Sequence, residues 1–131
     1  MQSKKSITLF GIPNCDTVKK ARIWLQEQNT DFIFYDFKKN DLPRHIVENW
    51  LDHVDLDVLI NRKGTTWRAL TDEQKVSCDD RASAISLMMA SPSLIKRPVL
   101  QISPLHSTAK DTNIQQVVVG FSAQLYQPLL K

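Results

Sequence analysis

The sequence predicts an α/β fold in which a β-α-β unit and a later β-β-α unit are separated by a helical insertion. Three observations carry this reading. A β-prone run, a helical pattern and an aromatic, β-branched run follow one another within about 30 residues, the size of a β-α-β unit with parallel strands. Residues 43–91 then read as mostly helical. Two further β-prone runs precede a capped helix near the end of the chain. The length, 131 residues, suits one compact domain.

Each element has a local cause. Ile7 to Phe10 is β-prone and stops at the turn formers Gly11-Ile12-Pro13-Asn14. From Asp16 to Gln28, Val18, Ala21, Trp24 and Leu25 share one helical face, with Asn14 or Asp16 as the expected cap. Phe32 to Phe37 is the second strand. Pro43 suits the first turn of a helix carrying Ile46, Val47, Trp50 and Leu51. The stretch from Asp55 to Leu70 is mixed and holds the basic turn Asn61-Arg62-Lys63-Gly64. Thr71-Asp72-Glu73 reads as a helix start, and Asp79 or Asp80 opens another helix with Ala82, Ile85 and Met89 inward. Val99 to Ile102 and Val117 to Phe121 are strands, and Ser122 caps a last helix through Leu130.

A parallel pair followed by a hairpin and a closing helix is a thioredoxin-like arrangement. The expected core covers about 6–40 and 94–131 of a single domain, with the insertion at about 43–91.

Composition narrows the chemistry. Three glycines leave no glycine-rich dinucleotide or triphosphate cradle. Two cysteines leave no disulfide scaffold and no four-cysteine zinc site. The net charge of +3 is modest and unclustered, which argues against direct nucleic-acid binding and for small anionic ligands. No apolar run is long enough to span a bilayer or to serve as a signal peptide. A cytoplasmic, reduced setting and no membrane partner are therefore expected. His45, His53 and His106 share no metal-ligand spacing, so no metal site is expected.

Cys15 follows a strand and opens a helix. Unpaired N–H groups and the positive end of the helix dipole favour a thiolate there, making Cys15 the candidate nucleophile. The position of a second motif cysteine, three residues on, is Val18. The site is thus monothiol, and a mixed disulfide there needs resolving by an external thiol or by a distant protein cysteine, for which Cys78 is the only internal candidate. Cys78 precedes Asp79-Asp80, whose charges should blunt it. Proline in Arg97-Pro98 marks a rigid, sometimes cis, turn just before a strand. In a thioredoxin-like fold that turn would bring Arg97 to the cysteine, where a guanidinium can bind an oxyanion or carboxylate through two parallel bonds. Arg62, in its basic turn, reads as a solvated loop residue ahead of the alternative that it leans over the cysteine and adds positive charge.

Taken together, Ile7 to Thr17, Arg62-Lys63-Gly64-Thr65-Thr66-Trp67, Ile95-Lys96-Arg97-Pro98-Val99 and Val119-Gly120-Phe121-Ser122 resemble the arsenate reductase/Spx family. The resemblance is greatest to its YffB-like subgroup of small thiol reductases, and runs from about Ser6 to Leu130. It implies a thioredoxin-like core with a helical insertion. In the family's glutaredoxin-coupled reductases the matching cysteine attacks arsenate, with glutathione as the second thiol. Carried over, Cys15 is the nucleophile, while Asn14, Arg62, Arg97 and Pro98 bind substrate. Those reductases place a third arginine beyond the Arg-Pro strand, and this sequence has no arginine after Arg97. The resemblance therefore implies glutathione-dependent reduction of a disulfide or glutathionyl sulfur in preference to arsenate. Glutathione is the expected co-substrate, glutaredoxin a further partner, and no tightly bound cofactor is expected in a monomer. Spx-type members instead regulate transcription by binding RNA polymerase, the alternative reading, but they usually carry a C-x-x-C switch that Val18 removes.

Overall fold

The computed structural model describes residues 5–104 and 116–130. Its elements in chain order are β1 (Lys5–Gly11), α1 (Asp16–Glu27), β2 (Ile33–Asp36), α2 (Arg44–Leu51), α3 (Leu56–Leu59) and α4 (Thr65–Arg68). They are followed by α5 (Asp72–Ser77), α6 (Arg81–Ala90), β3 (Val99–Pro104), β4 (Gln116–Val119) and α7 (Ala123–Tyr126). The chain divides into two compact units. One comprises the described residues of Met1–Phe37 and Arg97–Lys131, the other Lys38–Lys96.

The first unit is a thioredoxin-like β-α-β, β-β-α arrangement around a four-stranded sheet ordered β2-β1-β3-β4. As the sequence predicts, β1 and β2 are parallel. Strand β3 runs antiparallel to both β1 and β4. Strand periodicity puts Ile7, Leu9 and Gly11 on one face. Register adds Phe34 opposite Leu9, Leu100 opposite Leu9, Ile102 opposite Ile7 and Val118 opposite Leu100. These side chains pack with Ala21 and Leu25 of α1 and Tyr126 of α7 into one apolar cluster. Helix α1 buries Val18, Ala21 and Leu25, matching the predicted stripe. Trp24 lies at the cluster's margin, its ring centroid 6.1 Å from Phe121 and 6.0 Å from Tyr126.

The end of α1 shows how a short sequence signal stops a helix. Asn29 takes φ 54, a left-handed conformation that asparagine tolerates better than most residues. Its N–H donates to Gln26 O at 3.0 Å, and the N–H of Thr30 donates to Leu25 O at 3.1 Å. That pair of reversed bonds satisfies the last carbonyls and turns the chain towards β2.

Strand β4 ends earlier than the sequence predicts. Gly120 has φ 88, which breaks the extended run before Phe121. Ser122 caps α7 as expected, its Oγ accepting the N–H of Leu125 at 3.0 Å. After one turn, α7 tightens into a 3-10 segment, Gln127–Leu130. Pro128 has no N–H for the α-helical ladder, which is enough to explain the change.

The second unit is helical. Helix α2 buries Ile46, Val47 and Trp50, whereas Leu51 is half-buried and Pro43 is the N-cap, not a first-turn residue. Thr71 and Gln74 form a reciprocal capping box at the start of α5, at 3.1 and 2.9 Å. Asp80 caps α6 by accepting the N–H of Ser83 at 3.0 Å. The buried face of α6 is Ala84, Ile85 and Met88, and Ala82 and Met89 are exposed. The expectation for Ala82 and Met89 is corrected because Arg81–Ala90 has apolar residues on nearly every side, so periodicity alone does not set its phase. Arg81 ties α6 to the end of α2, donating to Glu48 O and Asp52 Oδ1, each at 3.1 Å. The basic turn is held at its root: Asn61 N–H donates to Leu94 O at 2.8 Å and Lys96 N–H to Leu59 O at 2.7 Å. Among the described residues no helix is long and apolar enough to cross a membrane.

Candidate active site at Cys15

Strand β1 delivers the chain into the turn Ile12-Pro13-Asn14, and Cys15 is the N-cap of α1. Its φ/ψ of −110/125 is extended, and its carbonyl accepts the first helical bond, from Lys19 N–H at 2.9 Å. This corrects the expected cap: neither Asn14 nor Asp16 holds that position, and Asp16 is the first helical residue. The Cys15 side chain makes no capping bond. Its thiol is free and half-exposed, at the end of a helix where backbone N–H groups have no intrahelical partner. Asn14 is exposed beside it.

Gly11 shapes this corner. A Cβ placed on it would stand 2.8 Å from Val18 Cγ2, closer than carbon atoms pack. Because Gly11 shares the face of Ile7 and Leu9, the first turn of α1 can sit directly on the end of β1. The position where a second motif cysteine would stand is thus occupied by a buried valine that seals the corner.

The Arg97–Pro98 peptide is cis, one of the two forms the sequence allows. Pro98 is buried, Arg97 is half-buried, and the Nε of Arg97 is buried. Strand β3 starts at the next residue, with Val99 opposite both Phe10 and Val119. The end of β1, the start of β3 and the end of β4 therefore meet at one end of the sheet. The structure brings the turn carrying Asn14 and Cys15 and the segment Arg97–Pro98 to that same end. It is also the carboxyl end of the parallel strands, where open α/β sheets bind ligands. In the sequence Gly120 stands only as part of a family motif, with no role of its own, and Tyr126 is unmarked. The N–H of Gly120 donates to Pro98 O at 2.8 Å, and the Tyr126 hydroxyl donates to Gly120 O at 2.8 Å. Nothing in the local sequence marks such long-range bonds.

Arg62 belongs to the second unit. It is not simply solvated: Nη2 donates to Asp57 Oδ1 at 2.7 Å, and its guanidinium carbon lies 4.9 Å from the centre of the Trp67 ring. It lines a cleft with Asp55, Leu56, Asp57, Cys78 and Asp79. Cys78 is buried at the end of α5. Burial is the main force pushing its thiol pKa up, Arg62 opposes the shift, and Asp79 adds to it. The expected direction is thus right, but desolvation outweighs the neighbouring acids. His45 and His53 are exposed, and His106 lies outside the described residues. Among the described residues no group of three or more potential ligands could hold a metal ion.

The two thiols should therefore separate chemically. Brief iodoacetamide treatment at neutral pH is expected to label Cys15 and to leave Cys78 unmodified until the chain unfolds, as read by peptide mass spectrometry. Equal labelling would contradict the burial of Cys78. A thiol whose pKa is raised on folding stabilises the fold below its unfolded value, and that contribution is lost as pH rises towards the folded value. Stability should consequently fall above about pH 8.5, and Cys78→Ala should flatten that decline.

Comparison with known proteins places the chain. The ArsC family matches residues 10–127, from the end of β1 to beyond α7. This chain belongs to the ArsC family. Among solved structures, a YFFB protein superposes with a TM-score of 0.81 at 38% identity, covering 96% of this chain and 100% of the other. An arsenate reductase (ArsC) related protein from Brucella melitensis gives 0.67 at 40% identity, covering 96% and 95%. The global transcriptional regulator Spx of Streptococcus pyogenes serotype M3 is 28% identical over 97 residues, 72% of this chain and 70% of its own length. The resemblance to the ArsC/Spx family and its YffB-like members is thereby borne out, as is the thioredoxin-like fold.

Proposed function

We propose that this ArsC-family protein is a monothiol reductase that uses Cys15 as its nucleophile and glutathione as its reductant. The observation that carries the reading is the free, half-exposed thiol of Cys15 at the N-cap of α1, which makes no side-chain capping bond. Two sulfur exchanges complete the cycle. The Cys15 thiolate attacks the glutathionyl sulfur of a mixed disulfide, the substrate sulfur leaves as a thiolate and takes a proton, and a Cys15–glutathione disulfide forms. A second glutathione thiolate attacks the glutathionyl sulfur of that disulfide, releasing oxidised glutathione and restoring Cys15. The overall change is one mixed disulfide and one glutathione to one thiol and one oxidised glutathione.

Arg97 supplies positive charge for a glutathione carboxylate, for which the guanidinium fork is suited. Lys19, exposed on the first turns of α1, adds to the attraction of anions. Arg62 is proposed as a second substrate-binding cation, with Asp57 and Trp67 fixing its guanidinium. The absence of arginine after Arg97 favours sulfur substrates over arsenate.

The test is a panel of arsenate, a glutathionylated peptide and a small disulfide, each with and without glutathione. Turnover of the two sulfur substrates only when glutathione is present is expected. Turnover of arsenate alone would replace the substrate assignment. Inertness towards all three, with recovery of RNA polymerase subunits by both wild type and Cys15→Ser, would favour the Spx-type regulator reading.

A further inference from the structure

We infer that Tyr126 is a positioning residue for the substrate-binding segment Arg97–Pro98, acting through Gly120. The inference rests on the assignment of Cys15 and Arg97 to one site. Four contacts form a continuous network within the first unit. The Tyr126 hydroxyl donates to the Gly120 carbonyl at 2.8 Å. The N–H of the same residue donates to the Pro98 carbonyl at 2.8 Å. The Tyr126 ring packs edge-on against Trp24 at 6.0 Å and against Phe121 at 4.9 Å. Trp24 belongs to α1, the helix that Cys15 caps. One side chain therefore bears on both halves of the site, holding the Pro98 carbonyl through a single residue, Gly120, and the cysteine helix through ring packing.

The arrangement fits a fixed hydrogen-bond donor. Tyr126 is wholly buried, so its hydroxyl has no alternative partner in water, and a buried hydrogen bond of this kind is costly to leave unmade. Burial also raises the phenol pKa, so the hydroxyl stays a donor throughout the neutral and mildly alkaline range. Gly120, at φ 88, presents its N–H to Pro98 and its carbonyl to Tyr126. Loss of the hydroxyl leaves that carbonyl without its buried donor and lets the Gly120–Phe121 peptide turn, which changes the backbone at Gly120, shifts its N–H from the Pro98 carbonyl and loosens Arg97.

The experiment compares two alkylating probes on the full chain. Iodoacetate carries a carboxylate and iodoacetamide is its neutral counterpart, so the ratio of their rates at Cys15 reports a positive charge held near the thiol. Arg97→Ala is expected to lower the ratio by about fivefold. Tyr126→Phe, which keeps the ring and removes only the hydroxyl, is expected to lower it by about threefold. Ile102→Val, in the same apolar cluster as Tyr126, is the control for a general loss of stability and should keep the wild-type ratio. A wild-type ratio in Tyr126→Phe alongside a lowered one in Arg97→Ala overturns the positioning role. Equal losses in Tyr126→Phe and Ile102→Val also overturn it, since a merely structural contribution would then account for both. An unchanged ratio in Arg97→Ala sinks the underlying placement of Arg97 instead, so the two failures are distinguishable.

Discussion

Replacing Cys15 with serine is expected to abolish sulfur transfer and, at the same time, to stabilise the fold. The first half follows from the proposed chemistry. A thiolate is the species that attacks sulfur, and a serine hydroxyl supplies no comparable nucleophile near neutral pH. Removal of the attacking group from a covalent mechanism should lower turnover by at least about a thousandfold. The second half follows from the geometry of α1. Cys15 has the extended backbone of an N-cap, but its side chain caps nothing. Sulfur is a weak acceptor, whereas a serine oxygen can accept an N–H from the first turn. N-cap serine is commonly worth about 1 kcal/mol over residues that cannot cap. Urea denaturation and a glutathionylated-peptide assay on the same preparation check the pair of effects. Retained turnover in Cys15→Ser would end the nucleophile assignment. Lower stability would show that the thiol supports the fold through packing. The opposite signs are the informative part, because they describe a helix start that gives up a cap to keep a reactive group.

Much of the fold could be read locally because its signals are local. Helix α1 has an apolar stripe at helical spacing, Ser122 and Asp80 are strong caps beside apolar runs, and the strand-helix-strand order imposes a parallel pair. Where residues compete for the same local role, the reading failed. Asn14 and Asp16 are both better capping residues than Cys15, yet the cysteine carbonyl starts the helical ladder. A Cβ on Gly11 would stand 2.8 Å from Val18 Cγ2, a contact between strand and helix that no local capping preference registers. The phase of α6 was lost because its apolar residues are too many to define a face. Arg62 illustrates a further limit. A basic turn predicts a solvated charge, and only the fold shows Asp57 and Trp67 holding it. The candidate nucleophile was legible because cysteine between a strand and a helix is a local pattern. The Tyr126–Gly120–Pro98 relay was not, since its bonds join β4, the last helix and the start of β3.

Gly11→Ala is expected to destabilise the protein and to impair the site through the helix that Cys15 caps. Gly11 is not required for an unusual backbone conformation, since it lies within the paired run of β1 opposite Asp36. Its role is space. A methyl group there would lie 2.8 Å from Val18 Cγ2 and 3.1 Å from Cγ1. Valine is branched at Cβ and has little rotamer freedom in a helix, so it cannot swing clear as a long flexible side chain would. Either Val18 or the first turn of α1 must shift, and overpacking of a buried contact typically costs about 1–3 kcal/mol. Any shift of that turn carries Cys15, three residues before Val18, away from the end of β3. Turnover should therefore fall more than the loss of stability explains at temperatures where the variant is fully folded. Gly11→Ala with Val18→Ala is the decisive combination: removing the two valine methyl groups makes room for the added one. Recovery of both stability and turnover in the double variant is the expected result, measured by chemical denaturation and the same transfer assay. If the double variant is as unstable as the sum of its single substitutions, the two sites do not couple, and close packing of β1 against α1 is not what sets the cysteine's position.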